Sequence, residues 1–185
     1  MKLYGSYTSP YVRHCRIVIE QLGLACDFIE ADYTLSAEKS PSMKVPFLQD
    51  DDLQLTDSTS ILFHFYSKSG KPFISSAKEM DLYAMINTLL DSSINVFLLE
   101  NDGVTPETSQ YLARQVSRIE KGLDALENSN TISTEEDSIA ATRLLCFLAW
   151  GLFRNRINLV GRPKLETFVK QMSSYSVFEK TTPPS

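Results

Sequence analysis

The chain has 185 residues, of which 43% are hydrophobic, so it is long enough for one large domain or two small ones with buried cores. Its formal net charge of -5 and its pI near 5.1 argue against a nucleic-acid surface, because no run of Lys and Arg is dense enough to release many counterions from a phosphate backbone. An anionic ligand must therefore be bound by local groups rather than by a broad basic face.

The cysteines, histidines and apolar runs exclude several further classes. The cysteines are few, widely spaced and set in apolar or strand-like contexts, which predicts reduced structural thiols rather than a disulfide framework. His14 and His64 have no matching ligand cluster, so we expect no metal site. The longest apolar run, residues 144–153, is about half of a bilayer span, and no apolar stretch follows a basic N-terminus. These features predict a cytoplasmic chain without a membrane partner. The cysteines are Cys15, Cys26 and Cys146.

The first part of the chain alternates strand and helix patterns. Residues 2–5 predict a strand, and Ser9 is expected to cap a helix whose first position is Pro10, where a missing N–H and a fixed φ do no harm. Residues 26–31 predict a second strand. The polar segment 33–43 predicts a loop with at most a short helix.

The next segment predicts an antiparallel hairpin followed by a helix. Short apolar segments flank Asp50-Asp51-Asp52, which we interpret as a solvated turn. Asp57 or Ser58 then caps a helix that ends at Ser69-Gly70-Lys71-Pro72. Together these elements predict an α/β domain with a mixed four-stranded sheet over residues 1–73.

From about residue 78 onward the apolar period is helical, which predicts an all-α domain over residues 78–185. Three N-terminal signals mark helices inside it. They are Thr105-Pro106-Glu107, a capping box at Ser133 with Glu136 or Thr134 with Asp137, and Pro163.

Two segments carry a resemblance to a known family. The segment MKLYGSYTSPYVRHCRI resembles the first strand and helix of the cytosolic glutathione S-transferase superfamily, in particular its bacterial, serine-type GST-like members. The segment KVPFLQDDDLQLTDSTSIL resembles the superfamily's Val-cisPro, hairpin and acidic-Ser turn. The resemblance covers nearly the whole chain. It implies a thioredoxin-like, glutathione-binding N-terminal domain followed by the helical C-terminal domain of these proteins.

Departures from the family pattern limit what the resemblance implies. Ser9 stands where the thiol-transfer classes have a cysteine, which argues against disulfide exchange. Peroxide or disulfide reduction by Cys15 is also disfavoured, because that residue lies more than one turn inside the helix. The chain is short for the superfamily, so we expect the tail that often roofs the electrophile pocket to be missing.

The chemistry implied by the resemblance is activation of the glutathione thiol. A free thiol with a pKa of about 8.5 is only slightly ionised at neutral pH, yet the thiolate is the nucleophile. Ser9 is expected to donate its hydroxyl to the sulfur, while the first-turn N–H groups add positive potential. Tyr7 and Thr8 are rival hydroxyls, and a plain helix cap is the alternative role for Ser9.

The resemblance also implies positions for the rest of the tripeptide. A cis bond between Val45 and Pro46 would let Val45 offer its N–H and C=O to the cysteinyl backbone; an ordinary trans proline is the alternative. Ser58 and its helix N-terminus would bind the γ-glutamyl carboxylate and Asp57 the α-ammonium, unless both serve only as a cap. Lys44 is placed to neutralise the glycyl carboxylate or to stay solvated.

Conjugation of the glutathione thiolate to a small electrophile, in detoxification and by a homodimer, is the function that the resemblance implies. Tyr11, Tyr83 and Phe97 are candidate walls of the electrophile pocket, although aromatic residues at helical spacing are more often core residues. Arg13 is expected to be structural. The alternative function is that of a non-catalytic binding or regulatory protein with the same fold, like the bacterial stringent-starvation relatives.

Overall fold

The computed structural model describes residues 1–184, which divide into two compact units. The first unit comprises Met1–Ser75 together with the C-terminal segment that begins at Ser174, and the second comprises Ser76–Ser173. The helical domain proposed over residues 78–185 differs from this division at its end, because the C-terminal segment packs with the first unit. We describe each unit by itself.

The first unit contains a four-stranded mixed sheet with the order β2-β1-β3-β4. Strand β1 pairs parallel with β2 and antiparallel with β3, and β3 pairs antiparallel with β4. The mixed sheet and the hairpin predicted from the sequence are confirmed. The strands are β1 Lys2–Gly5, β2 Asp27–Glu30, β3 Phe47–Asp50 and β4 Leu53–Leu55.

Four helices accompany this sheet within the described residues. The helix α2 is the short one that the polar segment allows, and Asp32 caps it by accepting from the backbone N–H of Leu35 at 2.8 Å. Helices α1 and α3 pack against each other, and α8 packs on α1. The helices are α1 Pro10–Leu22, α2 Tyr33–Lys39, α3 Ser58–Ser69 and α8 Ser176–Lys180.

The two faces of the sheet have separate cores, because side chains alternate along each strand. Tyr4 and Phe47 are paired across β1 and β3, and their rings stack at 4.5 Å between centroids. They form one cluster with Ala31 and with partly buried residues that include Leu35 of α2. Leu3 and Leu48, which neighbour this pair along the strands, belong to the opposite face and are fully buried.

Gly5 lets the end of β1 approach the first turn of α1. A Cβ atom at this position would lie 2.5 Å from Cγ2 of Val12, a separation that real structures essentially never show. Val12 is fully buried and its β-branched side chain has little rotamer freedom. A glycine is therefore required where the strand turns into the loop that leads to α1.

The second unit consists of helices in its described residues. Helix α4 packs against α5 and α6, and α7 packs against the same two helices. Helix α6 is buried along most of its length, as its apolar run predicts. Helix α4 is long and apolar enough to cross a bilayer by length and composition, a test that core helices of soluble proteins also pass. The helices are α4 Ala77–Asn101, α5 Gln110–Glu127, α6 Ile139–Phe153 and α7 Pro163–Ser173.

Two of the predicted helix starts are wrong. Ser109 caps α5 and Ser138 caps α6, each accepting from the backbone N–H three residues later at 3.3 Å. The Thr105-Pro106-Glu107 signal lies in a turn that precedes α5, and Ser133 accepts from the N–H of Glu135 in the loop before α6. In both places a hydroxyl caps a local turn first, and a later serine caps the helix.

Helix α7 begins at Pro163, as the sequence predicts, but another helix caps it. The carboxylate of Glu127, at the end of α5, accepts from the backbone N–H groups of Lys164 and Leu165, each at 3.0 Å. This cap satisfies two of the N–H groups that a helix leaves unpaired at its start. It also ties the end of α5 to α7.

Candidate functional site

Three loops of the first unit lie along one edge of its sheet. Tyr4 pairs with Phe47 and Leu48 pairs with Leu55, so the end of β1, the start of β3 and the end of β4 are neighbours. The segments attached to these strand ends carry the predicted ligand-binding residues. We call residues 6–9, 44–46 and 56–58 the loop cluster.

Ser9 opens α1, and its role as a helix cap is confirmed. Its backbone is extended, with φ -76° and ψ 125°, and its Oγ accepts from the N–H of Val12 at 3.4 Å. Pro10 occupies the first helical position. Among residues 1–184 no group accepts the hydroxyl proton of Ser9. The side chain therefore serves as a cap and keeps a proton to donate.

The neighbouring hydroxyls are arranged differently. The Oγ of Ser6 and the Oγ1 of Thr8 hydrogen-bond to each other at 3.1 Å, and the N–H of Thr8 donates to the same Ser6 Oγ at 3.3 Å. The ring of Tyr7 packs edge-on against Phe28 of β2, with 4.8 Å between centroids. Of the three candidate hydroxyls, that of Ser9 combines a free proton with a place at a helix N-terminus.

The peptide bond between Val45 and Pro46 is cis. Pro46 is buried and Val45 is half-buried, whereas Lys44 is exposed. The ladder between β1 and β3 begins at Phe47, so it does not use the N–H and C=O of Val45. The main chain at Val45 is thus positioned at the sheet edge with its polar groups outside the ladder.

Asp57 opens α3 and caps it through one carboxylate oxygen. Its Oδ1 accepts from the N–H of Thr59 at 2.8 Å and from the N–H of Ser60 at 3.2 Å. Within the part of the chain that the structure describes, no cation lies at ion-pair distance from this exposed carboxylate. Ser58 is the first residue of the helix and is buried. The α3 end therefore holds a negative charge beside a helix N-terminus.

A family model described as the N-terminal domain of glutathione S-transferase matches residues 3–73, which hold the whole loop cluster. The uncharacterized GST-like protein YibF of Escherichia coli K12 is 26% identical to this chain over 200 residues, covering 100% of the chain and 99% of YibF. The crystal structure of a glutathione transferase family member from Pseudomonas fluorescens Pf-5, with bound S-(propanoic acid)-glutathione, has a TM-score of 0.83 at 25% identity and covers 99% of both chains. Residues 3–73 therefore match the glutathione S-transferase N-terminal domain, and the whole chain resembles glutathione transferases in sequence and in fold.

A further structure of a Pseudomonas fluorescens Pf-5 glutathione transferase family member, crystallised with glutathione, has the same fold. It has a TM-score of 0.85 at 22% identity and covers 100% of this chain and 99% of its own. The glutathione S-transferase fold thus extends over both units, and the thioredoxin-like first domain and the helical second domain predicted from the sequence are confirmed.

The aromatic residues predicted for an electrophile pocket lie in different surroundings. Tyr11 is half-buried on α1. Tyr83 is 1% exposed, and its hydroxyl accepts from Nη2 of Arg143 at 2.7 Å, so it is a core residue and not a wall of an open pocket. Phe97 packs edge-on against Trp150, with 5.8 Å between centroids.

Arg13 is structural, as expected, and the contact that it makes spans most of the chain. Its guanidinium lies 3.5 Å from the ring centroid of Phe178. Its Nη2 donates to the carbonyl of Phe178 at 3.0 Å and to Oγ1 of Thr182 at 3.2 Å. The C-terminal segment is held on α1 by these bonds, which explains why it belongs to the first unit.

Arg16 is a residue that the sequence interpretation missed. It follows Arg13 by three positions, a spacing that places both arginines on one face of α1. That spacing was the available signal. The ring and carbonyl partners of the two arginines could not be read from it, because they come from distant parts of the sequence.

The acidic turn also contains an interaction that the sequence interpretation missed. Asp51 and Asp52 are exposed, as expected of a solvated turn, but Asp50 belongs to β3. Its Oδ2 lies 2.7 Å from Nζ of Lys68 and 2.8 Å from Nε2 of His64. The hydrogen bonds from Lys68 and then from His64 lower the pKa of Asp50 below its ordinary value.

The cysteines within the described residues are not joined in disulfides. Cys15 and Cys146 are buried, whereas Cys26 is half-buried at the edge of the first unit's sheet. Burial raises the pKa of the Cys26 thiol, so it carries little thiolate at neutral pH. Among the described residues no group of three or more His, Cys, Asp or Glu side chains is placed to hold a metal ion.

Proposed function

We propose that this chain binds reduced glutathione in the loop cluster and joins the glutathione sulfur to a small electrophile. The observation that carries the proposal is the meeting of two helix N-termini and the main chain of Val45 at one sheet edge. Helix N-termini attract anions, and an extended peptide is recognised by main-chain groups outside a ladder. The Pseudomonas relatives crystallised with glutathione or a glutathione derivative support this ligand.

In the proposed complex the tripeptide is bound along its whole length. The N–H and C=O of Val45 bond the cysteinyl main chain, and Asp57 binds the α-ammonium group. Ser58 and the first-turn N–H groups of α3 bind the γ-glutamyl carboxylate. Lys44 is exposed and serves the glycyl carboxylate or remains in solvent.

Ser9 is the proposed catalytic residue. Its hydroxyl donates to the glutathione sulfur, and the positive end of α1 adds potential that favours the thiolate. Each tenfold gain in thiolate requires about 1.4 kcal/mol, which is within the range of one hydrogen bond to a charged group. The thiolate attacks the electrophilic carbon and a C–S bond forms. The leaving group departs with the bonding electron pair, and the thiol proton has already passed to solvent.

The proposal extends to the electrophile contacts and to the assembly of the protein. Tyr11 and Phe97 are the proposed aromatic contacts for the electrophile. A cytoplasmic homodimer that removes reactive electrophiles is the assembly and role expected from the superfamily. Both parts of the proposal require bound glutathione, so they are tested once glutathione binding has been measured.

The test has two stages. Binding of reduced glutathione to the purified chain is measured by calorimetry and by retention on glutathione-agarose, and conjugation is then measured with a generic chloronitrobenzene. Binding with turnover is the expected result. Binding without turnover would favour the non-catalytic alternative, and absence of binding would contradict the proposal as a whole.

A further inference from the structure

Arg16 joins three segments of the first unit. Its guanidinium carbon lies 4.8 Å from the ring centroid of Tyr7 and 5.2 Å from that of Phe28. Its Nη1 donates to the carbonyl of Thr181 at 3.2 Å. One side chain therefore contacts the loop that presents Ser9, the strand β2 and the C-terminal segment.

The surroundings of Arg16 are unusual for a cation. The side chain is half-buried, and burial lowers the pKa of its guanidinium. In the described chain no carboxylate lies within ion-pair distance of it. Burying a charge without an anionic partner costs free energy. The two aromatic faces and the carbonyl of Thr181 hold the cation at contact distance, and the charge of Glu20, one helical turn later, favours it from farther away.

The loop before α1 is a tight turn that contains Tyr7. The N–H of Ser9 donates to the carbonyl of Ser6 at 3.1 Å, and the N–H of Thr8 donates to the Ser6 hydroxyl at 3.3 Å. Tyr7 carries the large side chain of this tight turn, so fixing its ring fixes the turn. The cap bond from Val12 to Ser9 is long, at 3.4 Å, and holds the serine only weakly.

We propose that Arg16 is a positioning residue for Ser9, acting through Tyr7. It contacts the Tyr7 and Phe28 rings, which pack edge-on, and anchors this pair to the Thr181 carbonyl, which keeps the Ser9 hydroxyl at the first turn of α1. Seven residues of helix separate the two backbones by about 10 Å along the axis, so Arg16 acts through the loop and not by contact with the sulfur. The inference rests on the proposed glutathione function.

The main test is Arg16→Met, which keeps an unbranched apolar stem and removes the charge, plane and donors of the guanidinium. We expect kcat to fall about tenfold, while KM for glutathione stays within about twofold, since the misplaced hydroxyl stabilises the thiolate less. The pH profile of kcat/KM should move upward, toward the titration of a free thiol. Arg16→Lys, which keeps the charge and a donor, should restore part of the loss.

Arg13→Met is the matched control. Arg13 also stacks on a ring and donates to the C-terminal segment, but the structure places it on Phe178 and not on Tyr7. This variant should lower Tm and leave the pH profile unchanged. Tyr7→Phe should also keep the profile, because the ring remains. Tyr7→Leu should reproduce Arg16→Met, and the double variant should be no worse than either single one.

Two results would overturn the inference. One is a wild-type pH profile in folded Arg16→Met, and the other is an equal change in Arg13→Met, which would show that packing of the C-terminal segment is sufficient. If Arg16→Met does not fold, kcat, KM for glutathione and the pH profile of kcat/KM are measured on Tyr7→Leu and Arg16→Lys instead, and a wild-type pH profile in Tyr7→Leu would overturn the inference. Failure of the wild-type chain to bind glutathione would instead contradict the proposed function, and it is observed before any variant is compared.

Discussion

The N-termini of α1 and α3 lie at the same edge of the sheet but are capped in different ways. Asp57 caps α3 with two hydrogen bonds, at 2.8 Å and 3.2 Å, and its negative charge offsets the positive end of the helix. Ser9 caps α1 with one bond of 3.4 Å and adds no charge. The α1 end therefore keeps more of its positive potential.

This difference suits the two helix ends to separate tasks in the proposed function. The α3 end is rigidly capped and has a fixed negative charge, which suits an ammonium group next to a carboxylate. The α1 end has a neutral hydroxyl with a proton to donate and suits an anion that forms on binding. In the proposed function, the α3 end binds the γ-glutamyl group and the α1 end stabilises the thiolate.

Removing the Ser9 hydroxyl should have the largest effect on turnover. We expect Ser9→Ala to lower kcat between about tenfold and about a hundredfold, because a hydrogen bond to a charged group contributes about 1.5–3 kcal/mol. Its loss of stability should be smaller, about 0.5–1 kcal/mol, since the cap bond is long. Ser9→Thr keeps the hydroxyl and serves as the control. Steady-state kinetics and urea unfolding measure both effects, and an unchanged kcat would remove Ser9 from the chemistry.

The close packing of the first turn of α1 against the end of β1 can be disrupted at Gly5. Gly5→Ala places a methyl group against the stiff side chain of Val12, and we expect a loss of about 1–3 kcal/mol in the free energy of unfolding. The displaced first turn should also lower kcat. The double variant with Val12→Ala creates room for the methyl group and should recover part of the stability. A stable and fully active Gly5→Ala protein would show that this close approach is unnecessary.

Two substitutions of Asp57 separate its role as a helix cap from its proposed contact with the ammonium group. Asp57→Ala should cost about 1–2 kcal/mol of stability through loss of the cap and should also weaken glutathione binding. Asparagine is as good an N-cap as aspartate, so Asp57→Asn should keep the stability and weaken binding to a similar degree. Urea unfolding and calorimetry separate the two effects. Wild-type affinity in Asp57→Asn would rule out the ammonium contact.

The smallest effect expected is a pH dependence of stability that arises outside the loop cluster. The pKa of Asp50 is lowered by hydrogen bonds from Lys68 and His64, so the carboxylate stabilises the folded state above its unfolded pKa of about 3.9. That contribution is lost as the pH falls through the lower pKa of the folded state. Asp50→Asn should therefore flatten the acid side of the stability profile, measured by urea unfolding. An identical profile in the variant would contradict this origin.

The sequence predicted those parts of the fold and the candidate site that depend on neighbouring residues. Ser9 before Pro10 and Asp57 before Ser58 are local cap signals, and both caps are present in the structure. The same kind of signal was wrong at Thr105-Pro106-Glu107, because a separate turn comes before Ser109 and α5. A capping residue in a sequence does not by itself distinguish a turn from a helix.

Contacts between distant residues were beyond the sequence patterns. The packing of Arg13 on Phe178 and the bond from Lys68 to Asp50 join segments whose spacing carries no signal. Helical spacing left Tyr83 as either a pocket wall or a core residue and could not show that it is buried against Arg143. These contacts depend on how helices and strands pack, which a single sequence does not record.

In the proposed function, the first turn of α1 and the Ser9 hydroxyl stabilise the glutathione thiolate. A crystal structure of the chain with bound reduced glutathione tests it most directly. We predict that the sulfur lies at hydrogen-bond distance from Oγ of Ser9, with the cysteinyl main chain bonded to Val45. A sulfur bonded instead to Tyr7 or Thr8, or a tripeptide bound outside the loop cluster, would contradict the account.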